Sequence, residues 1–354
     1  MLAWPRKKPK GPYAATIAPP GRTLPVRPDE TLLQAALAAG IPFPHNCRVG
    51  SCTTCKCRLV SGRIEALTDT SYVLSAEDLH AGYILACQSL LKSDVEIALD
   101  RLDAPCKNVA GVICAVKPLT HDILEVRIAL DQAVSYTAGQ YAELSVPAVA
   151  EPRNYSFAQA PAGPEQAEIC FHIRHVPGGE LTDWLHQADR TGTRVGISAP
   201  HGSFWLRPGA APILCIAGGS GMAPIKAILE QAQRDGCTRE VLYLFGARTQ
   251  RDLYCVSEME RLGENWNGRF RFTPVLSREP ADSGWAGARG LVADFIAAHG
   301  LDPARCDAYL CGPPPMVDAA IARLTAAGLA APRIHFDKFL DRSHAARAVN
   351  VANA

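Results

Sequence analysis

Apolar and polar positions along the chain fall into three successive patterns. Past a basic N-terminal tail, YAATIA (13–18) and TLPV (23–26) flank the turn PPGR and read as strand, turn, strand. Apolar residues then take up helical spacing over TLLQAALAA (31–39), with Asp29 as the expected N-cap and Gly40 as the stop. KCRLVSGRIEAL (56–67) predicts a hairpin, and LACQ (85–88) and SDVEIAL (93–99) predict closing strands.

DRLDAPCK (100–107) has no such pattern and reads as a linker. Beyond it, AGVICAVKPL, DILEVRIAL, GQYAELSV and AEICFHIRHV are short runs of β-branched and aromatic residues separated by Gly/Pro breaks. Several strands with little helix between them predict a small antiparallel barrel. The third pattern opens with PILCIA (212–217), an uninterrupted apolar run suited to a parallel strand buried on both faces. EVLYLFGAR, FRFTPVL and AYLCGPPPMV repeat it with helical stretches between, which predicts an open α/β sheet. The expected boundaries are a basic tail 1–12, a first domain 13–100, a linker 101–107, a barrel 108–209, an α/β domain 210–340 and an extension 341–354.

Composition narrows this only slightly. A chain of 354 residues exceeds what one core usually supports, so two or three domains are expected. A net charge of +1 argues against a nucleic-acid binder held by phosphate contacts. The basic start MLAWPRKKPKGPY lacks the apolar stretch of a signal peptide, and no apolar run reaches the length of a membrane span. Thirteen cysteines in such a chain fit a reducing compartment, so a cytoplasmic location with no membrane partner is expected.

Four of those cysteines carry chemistry. Cys47, Cys52 and Cys55 follow C-x4-C-x2-C, and Cys87 comes 31 residues later. That is the plant-type spacing of a [2Fe–2S] cluster, which needs four converging thiolates. A zinc ribbon needs a second close pair, and a redox CxxC has no use for Cys47, so the cluster is the better account. Gly50 supplies the backbone freedom that a tight loop demands. Cys57 is a spare thiol whose expected place is in the packing.

Two glycine turns point to phosphates. In HVPGGELTDWL, Gly178 and Gly179 lead into a short helix expected near Thr182, a natural diphosphate seat, and Arg153 of RNYSF offers a charged partner for the same phosphates. In GGSGMAP, Gly218, Gly219 and Gly221 follow the apolar strand and precede a helix with Pro224 in its first turn, the arrangement of a dinucleotide-phosphate site. Cys311 and Gly312 end a further strand, where open α/β sheets put ligands.

Taken together these motifs carry a resemblance. The first segment resembles the β-grasp ferredoxin domain, except that Thr53–Thr54 stand where that family commonly has Gly-Thr or Gly-Ser. RNYSF with HVPGG resembles the FAD-binding barrel of the ferredoxin–NADP reductase superfamily, and GGxGxAP its parallel-sheet NAD-binding domain. The fold class is therefore expected to be multidomain α+β and α/β. In this order the three are similar to the reductase components of bacterial multicomponent oxygenases, of the benzoate and naphthalene dioxygenase reductase type.

The resemblance implies an enzyme passing electrons from NADH to FAD to [2Fe–2S] and on to a terminal oxygenase or an intermediate carrier, as a monomer. It implies that Tyr155 lies on the flavin ring, that Ser156 reaches its N5 edge and that Cys311 contacts nicotinamide. It also implies that Asp337 and Phe339, in RIHFDKFL, bring a carboxylate and a covering ring to the flavin. Arg248 or Arg251 suits a 2′-phosphate and so NADPH, whereas Asp252 would repel one or else cap a helix; the run FGAR-TQR-DLY favours NADH. Three alternatives stay open: a reductase for a deoxysugar dehydratase, the flavin subunit of a sodium-pumping quinone reductase, and a non-enzymatic redox-sensing iron–sulfur protein.

Overall fold

The computed structural model describes residues 11–45, 50, 53–70, 74, 76–99 and 106–339. The chain forms two compact units, one ending at Cys106 and the other beginning at Lys107.

The first unit contains β1 (Tyr13–Ala18), β2 (Arg22–Val26), α1 (Leu32–Ala38), β3 (Lys56–Ser61), β4 (Ile64–Ala66), α2 (Ala76–His80), β5 (Tyr83–Leu85), β6 (Ser89–Leu91) and β7 (Val95–Ala98). Five strands form a mixed sheet in the order β2-β1-β7-β3-β5, with β1 and β7 parallel. Apolar residues of α1, among them Leu32, Leu33 and Ala36, are buried in the same core as Ile17, Val26 and Ile97.

Three local expectations change here. The N-cap of α1 is Thr31, not Asp29: its hydroxyl accepts from the Gln34 N–H at 3.3 Å, and the Gln34 side chain accepts from the Thr31 N–H at 2.9 Å. This reciprocal capping box satisfies two backbone donors, whereas the exposed Asp29 only faces Arg27. KCRLVSGRIEAL is not a hairpin; β3 pairs with β5 and β7, and β4 leaves to pair with β6 in a separate ribbon. LACQ is a strand only at Leu85, the end of β5: Ala86–Gln88 form one 3-10 turn whose three residues are all buried.

The second unit begins with β8 (Lys107–Pro118), β9 (Ile123–Val134), β10 (Tyr141–Ser145), β11 (Arg153–Ser156), β12 (Gln166–Arg174), α3 (Glu180–Gln187) and β13 (Arg194–His201). The six strands form an antiparallel sheet in the order β11-β10-β13-β8-β9-β12. A bridge between Phe157 and Phe171 joins its two edges, so the sheet curls into a barrel around Ile113, Val126, Ile128, Leu144 and Phe171. RVGISAPH supplies the central strand β13, which periodicity alone does not pick out because Gly196 and Pro200 interrupt it.

The chain continues through β14 (Ile213–Gly218), α4 (Met222–Arg234), β15 (Val241–Ala247), α5 (Val256–Glu264), β16 (Phe270–Leu276), β17 (Ala288–Arg289), β18 (Asp307–Gly312), α6 (Pro314–Ala326) and β19 (Ile334–Lys338). These strands form one parallel sheet in the order β17-β16-β15-β14-β18-β19. All six residues of β14 are buried, as its apolar run predicts. One apolar layer packs the sheet against α4 and α5, and another against α6. No helix among the described residues is long and apolar enough to cross a membrane.

Candidate functional sites

In the first unit, Cys55 closes the 3-10 turn Thr53–Cys55 and Cys87 sits in the turn Ala86–Gln88; both are buried in one apolar core. Gly50, at φ +78°, lies against the Gln88 side chain, and a Cβ added there would stand 2.7 Å from Gln88 Cγ. Gly50 is therefore held beside the turn that carries Cys87. Cys47 and Cys52 lie outside the described residues. Gln88 is a contributor that sequence reasoning missed: its amide donates to the Cys87 carbonyl at 3.1 Å and lies 3.7 Å from Cys87 Sγ, while Thr68 donates to its carbonyl at 3.2 Å. Cys57 is fully buried in β3.

In the barrel, β11 carries Arg153, Tyr155 and Ser156. Ser156 is buried, and Tyr155 packs at a tilt on Phe171 with ring centroids 6.1 Å apart. Helix α3 starts at Glu180, two residues before the expected Thr182, with Gly179 as its N-cap. Gly178 takes φ +78° with open space around a would-be Cβ, whereas a Cβ on Gly179 would stand 2.7 Å from Thr182 Oγ1. Thr182 closes the turn by accepting from the Val176 N–H at 3.2 Å. Arg153 reaches the start of α3, where its guanidinium pairs with Glu180 at 3.2 Å. A diphosphate at this helix terminus would meet the guanidinium of Arg153 and the open edge of Gly178, so the residues fit a dinucleotide such as FAD.

In the α/β domain the two expected loops touch backbone to backbone. A Cβ on Gly221 would collide with the Cys311 carbonyl, and one on Gly312 would stand 2.8 Å from the Gly218 carbonyl oxygen. Gly219, at φ +55°, completes the sharp turn into α4. Only residues without side chains allow this approach, which places the glycine turn and the β18 end together at the carboxyl end of the sheet. Asp337 pairs in register with Cys311, and the Phe339 N–H donates to the Gly312 carbonyl at 2.9 Å. Burial pushes the Asp337 carboxyl up to about 6. Burial first and the Asp337 charge second push the Cys311 thiol well above its ordinary range, so it is a neutral contact group.

A cavity of about 310 Å³ opens beside Gly218 and Gly219, between the α/β sheet and the β8–β9 turn of the barrel. Arg248 lines it but is not a free phosphate receptor: it donates to Asp252 at 3.0 Å and to Asp122 at 2.8 Å. Asp252 does not cap the following helix. It closes a capping box with Thr249 around a single 3-10 turn.

Asp122 and Arg174 were not expected here. Along β12, Ile169, Phe171 and Ile173 fill the barrel core, and Arg174 emerges at its end with Nη1 3.5 Å from where a Cβ on Gly219 would lie. The alternation in AEICFHIRHV carries that orientation, but only the docking of the α/β domain shows what Arg174 meets.

Residues 15–92 match the 2Fe-2S iron-sulfur cluster binding domain, 111–205 the oxidoreductase FAD-binding domain and 215–321 the oxidoreductase NAD-binding domain. The chain is 42% identical over 341 residues to the xylene/toluene monooxygenase electron transfer component XylA of Pseudomonas putida, covering 92% of this chain and 96% of that protein. The chain belongs to the iron–sulfur flavoprotein reductases of multicomponent oxygenases. This reductase is also 34% identical to the propane 2-monooxygenase reductase component of Mycolicibacterium goodii, over 89% of its own length and 93% of that protein. Its fold superposes on a cytochrome P450 reductase of Amycolatopsis with a TM-score of 0.71 at 33% identity, covering 92% and 98% of the two chains. A [2Fe–2S] cluster, FAD and NAD are accordingly the groups that this oxidoreductase binds.

Proposed function

We propose that this reductase takes electrons from NADH and delivers them to the terminal oxygenase, or an intermediate carrier, of a system that hydroxylates an aromatic or hydrocarbon substrate. The observation that carries the partner class is the 42% identity to XylA along nearly the whole of both chains. When bound, the flavin converts between the two-electron donor and the one-electron cluster.

The chain's residues supply placement. Cys47, Cys52, Cys55 and Cys87 hold the cluster. Arg153 and the Gly178–Gly179 turn hold the FAD diphosphate, Tyr155 supports the ring, and Ser156 donates at its N5 edge. Gly218, Gly219 and Gly221 seat the nicotinamide dinucleotide, with Cys311 and Gly312 against the nicotinamide. Asp337, its carboxyl raised by burial to about 6, is placed to exchange a proton near the ring, and Phe339 covers the face where nicotinamide arrives.

NADH preference is supported by the pairing of Arg248 with two carboxylates. We further propose a monomer working in the cytoplasm. Steady-state reduction of ferricyanide with each nicotinamide tests the donor: the expected result is a kcat/KM for NADH well above that for NADPH. Equal values overturn the preference. No reduction with either donor by cofactor-loaded protein overturns the reductase assignment.

A further inference from the structure

We propose that Asp122, a residue of the barrel, sets discrimination between NADH and NADPH by holding Arg248 of the α/β domain in a carboxylate clamp shared with Asp252. This deepens the NADH preference proposed above and rests on it.

The argument starts from topology. Dinucleotide folds read the adenosine ribose at the carboxyl end of the strand next to the glycine turn, where an acidic residue suits a 2′-hydroxyl and an arginine suits a 2′-phosphate. In this chain that strand is β15, adjacent to β14, and the residue just past it is Arg248. By type alone Arg248 predicts NADPH. Its surroundings reverse that. Nε donates to Asp252 Oδ1 at 3.0 Å, and Nη2 donates to Asp122 Oδ2 at 2.8 Å and also reaches Asp252 Oδ1. The guanidinium is therefore engaged along one edge and at one tip before any ligand arrives.

Asp122 is itself held in place. Thr120 Oγ1 donates to its Oδ1 at 3.0 Å, Arg174 Nε donates to its Oδ2 at 3.0 Å, and its backbone carbonyl accepts from the His175 N–H at 2.7 Å. Burial works to raise the Asp122 carboxyl, but the Thr120 hydrogen bond and the two guanidinium groups outweigh it, and it stays below the usual carboxylate range. At Asp252 burial likewise opposes, and the bonds from Thr249 and Arg248 prevail. Both carboxylates are charged at neutral pH.

Two carboxylates and two guanidinium groups therefore line this side of the cavity with no formal surplus of positive charge. A 2′-hydroxyl can accept or donate there without displacing anything. A 2′-phosphate brings about two negative charges against two fixed carboxylates, and must break the clamp to reach Arg248. Asp122 belongs to the β8–β9 turn, so the barrel domain contributes to selectivity in the other domain's site. Without it, Arg248 keeps one carboxylate and the site gains a positive charge.

The test is calorimetric titration of the FAD- and cluster-loaded protein with 5′-AMP and with 2′,5′-ADP (adenosine 2′,5′-bisphosphate), which differ only in the phosphate at issue. The readout is the ratio of the two affinities, so a general change in 5′-phosphate binding through Arg174 does not mimic the effect. Wild type is expected to favour 5′-AMP. Asp122→Asn should move the ratio toward 2′,5′-ADP by about tenfold or more, the scale of a desolvated charge pair gained. Asp122→Glu should keep the ratio near wild type. Arg248→Gln in the wild-type background should weaken 2′,5′-ADP by no more than about threefold, because the guanidinium is already engaged, yet should abolish the gain in Asp122→Asn.

A ratio within about twofold of wild type in Asp122→Asn overturns the clamp, as does a tenfold or greater loss of 2′,5′-ADP binding in Arg248→Gln alone. That second result stands even where Asp122→Asn is not recovered folded. Wild type favouring 2′,5′-ADP overturns the NADH preference itself, and this outcome is separate from failure of the clamp.

Discussion

Asp337 stands in register with Cys311 on the neighbouring parallel strand, at the carboxyl end of the sheet. No hydrogen bond or ion pair from another described residue stabilises the Asp337 carboxylate, and burial raises it to about 6, above the usual carboxylate range. Between about pH 4 and 6 the unfolded chain gives up this proton while the fold keeps it, so stability falls as pH rises through that window and stays lower above it. Asp337→Asn removes the proton linkage without changing shape. The wild-type Tm should therefore approach or exceed that of Asp337→Asn near pH 4 and fall below it by pH 7. The swing should be on the order of 2 kcal/mol, measured by thermal melts across pH. A pH-independent difference would mean that water or a cofactor solvates this carboxyl.

Much of this molecule was legible in the sequence, for identifiable reasons. The buried parallel strands announce themselves as unbroken apolar runs, and the glycines of GGSGMAP and CGPPP are needed because those backbones touch. The errors fell where several local choices compete. Asp29 and Thr31 are both good caps, and only the Gln34 side chain favours Thr31. KCRLVSGRIEAL has hairpin chemistry, but β7 and β5 offer β3 its partners. Asp122 and Gln88 could not be singled out, because their roles arise from residues far away in sequence that only the fold brings near.

Cluster ligation can be separated from packing at Cys57. Cys57 is fully buried, so Cys57→Ser places a hydroxyl in an apolar core and should cost stability of about 1–3 kcal/mol while leaving the visible cluster spectrum intact. Serine at Cys47, Cys52, Cys55 or Cys87 should bleach or shift that spectrum and lower the iron content. Gly50→Ala should act in the same direction more weakly: it forces a side chain into φ +78° and against Gln88, a strain of about 1–2 kcal/mol. A cluster lost in Cys57→Ser and kept in Cys55→Ser would reverse the ligand assignment.

Flavin retention should depend on Arg153 and not on its carboxylate partner. Arg153→Ala removes a charged hydrogen bond to the diphosphate, typically worth about 1.5–3 kcal/mol, so the Kd for FAD should rise tenfold or more. Glu180 pairs with the same guanidinium at the start of α3, where it competes with a phosphate for the cation. Glu180→Gln should therefore bind FAD at least as tightly as wild type. Fluorescence titration of deflavinated protein measures both. Full flavin content in Arg153→Ala after long dialysis would place the diphosphate elsewhere.

Docking to the oxygenase should draw on positive charge near the cluster. Of the basic residues just past Cys55, Lys56 is engaged: it pairs with Asp78 at 2.9 Å and lies 4.6 Å from the centre of the Tyr83 ring. Arg58 differs. Alternation along β3 buries Cys57 and exposes Arg58, leaving its guanidinium available to an acidic surface. Exposed charges of this kind act mainly on encounter rate, and salt screens them. Arg58→Glu should slow oxygenase-coupled NADH oxidation several-fold at low ionic strength, with the difference shrinking as salt rises. NADH-to-ferricyanide turnover should remain at the wild-type level, because ferricyanide can take electrons from the flavin without docking at the cluster. A parallel loss of both activities would assign Arg58 to folding or cluster assembly. An oxygenase-coupled rate unchanged at low salt would move the docking surface off this strand.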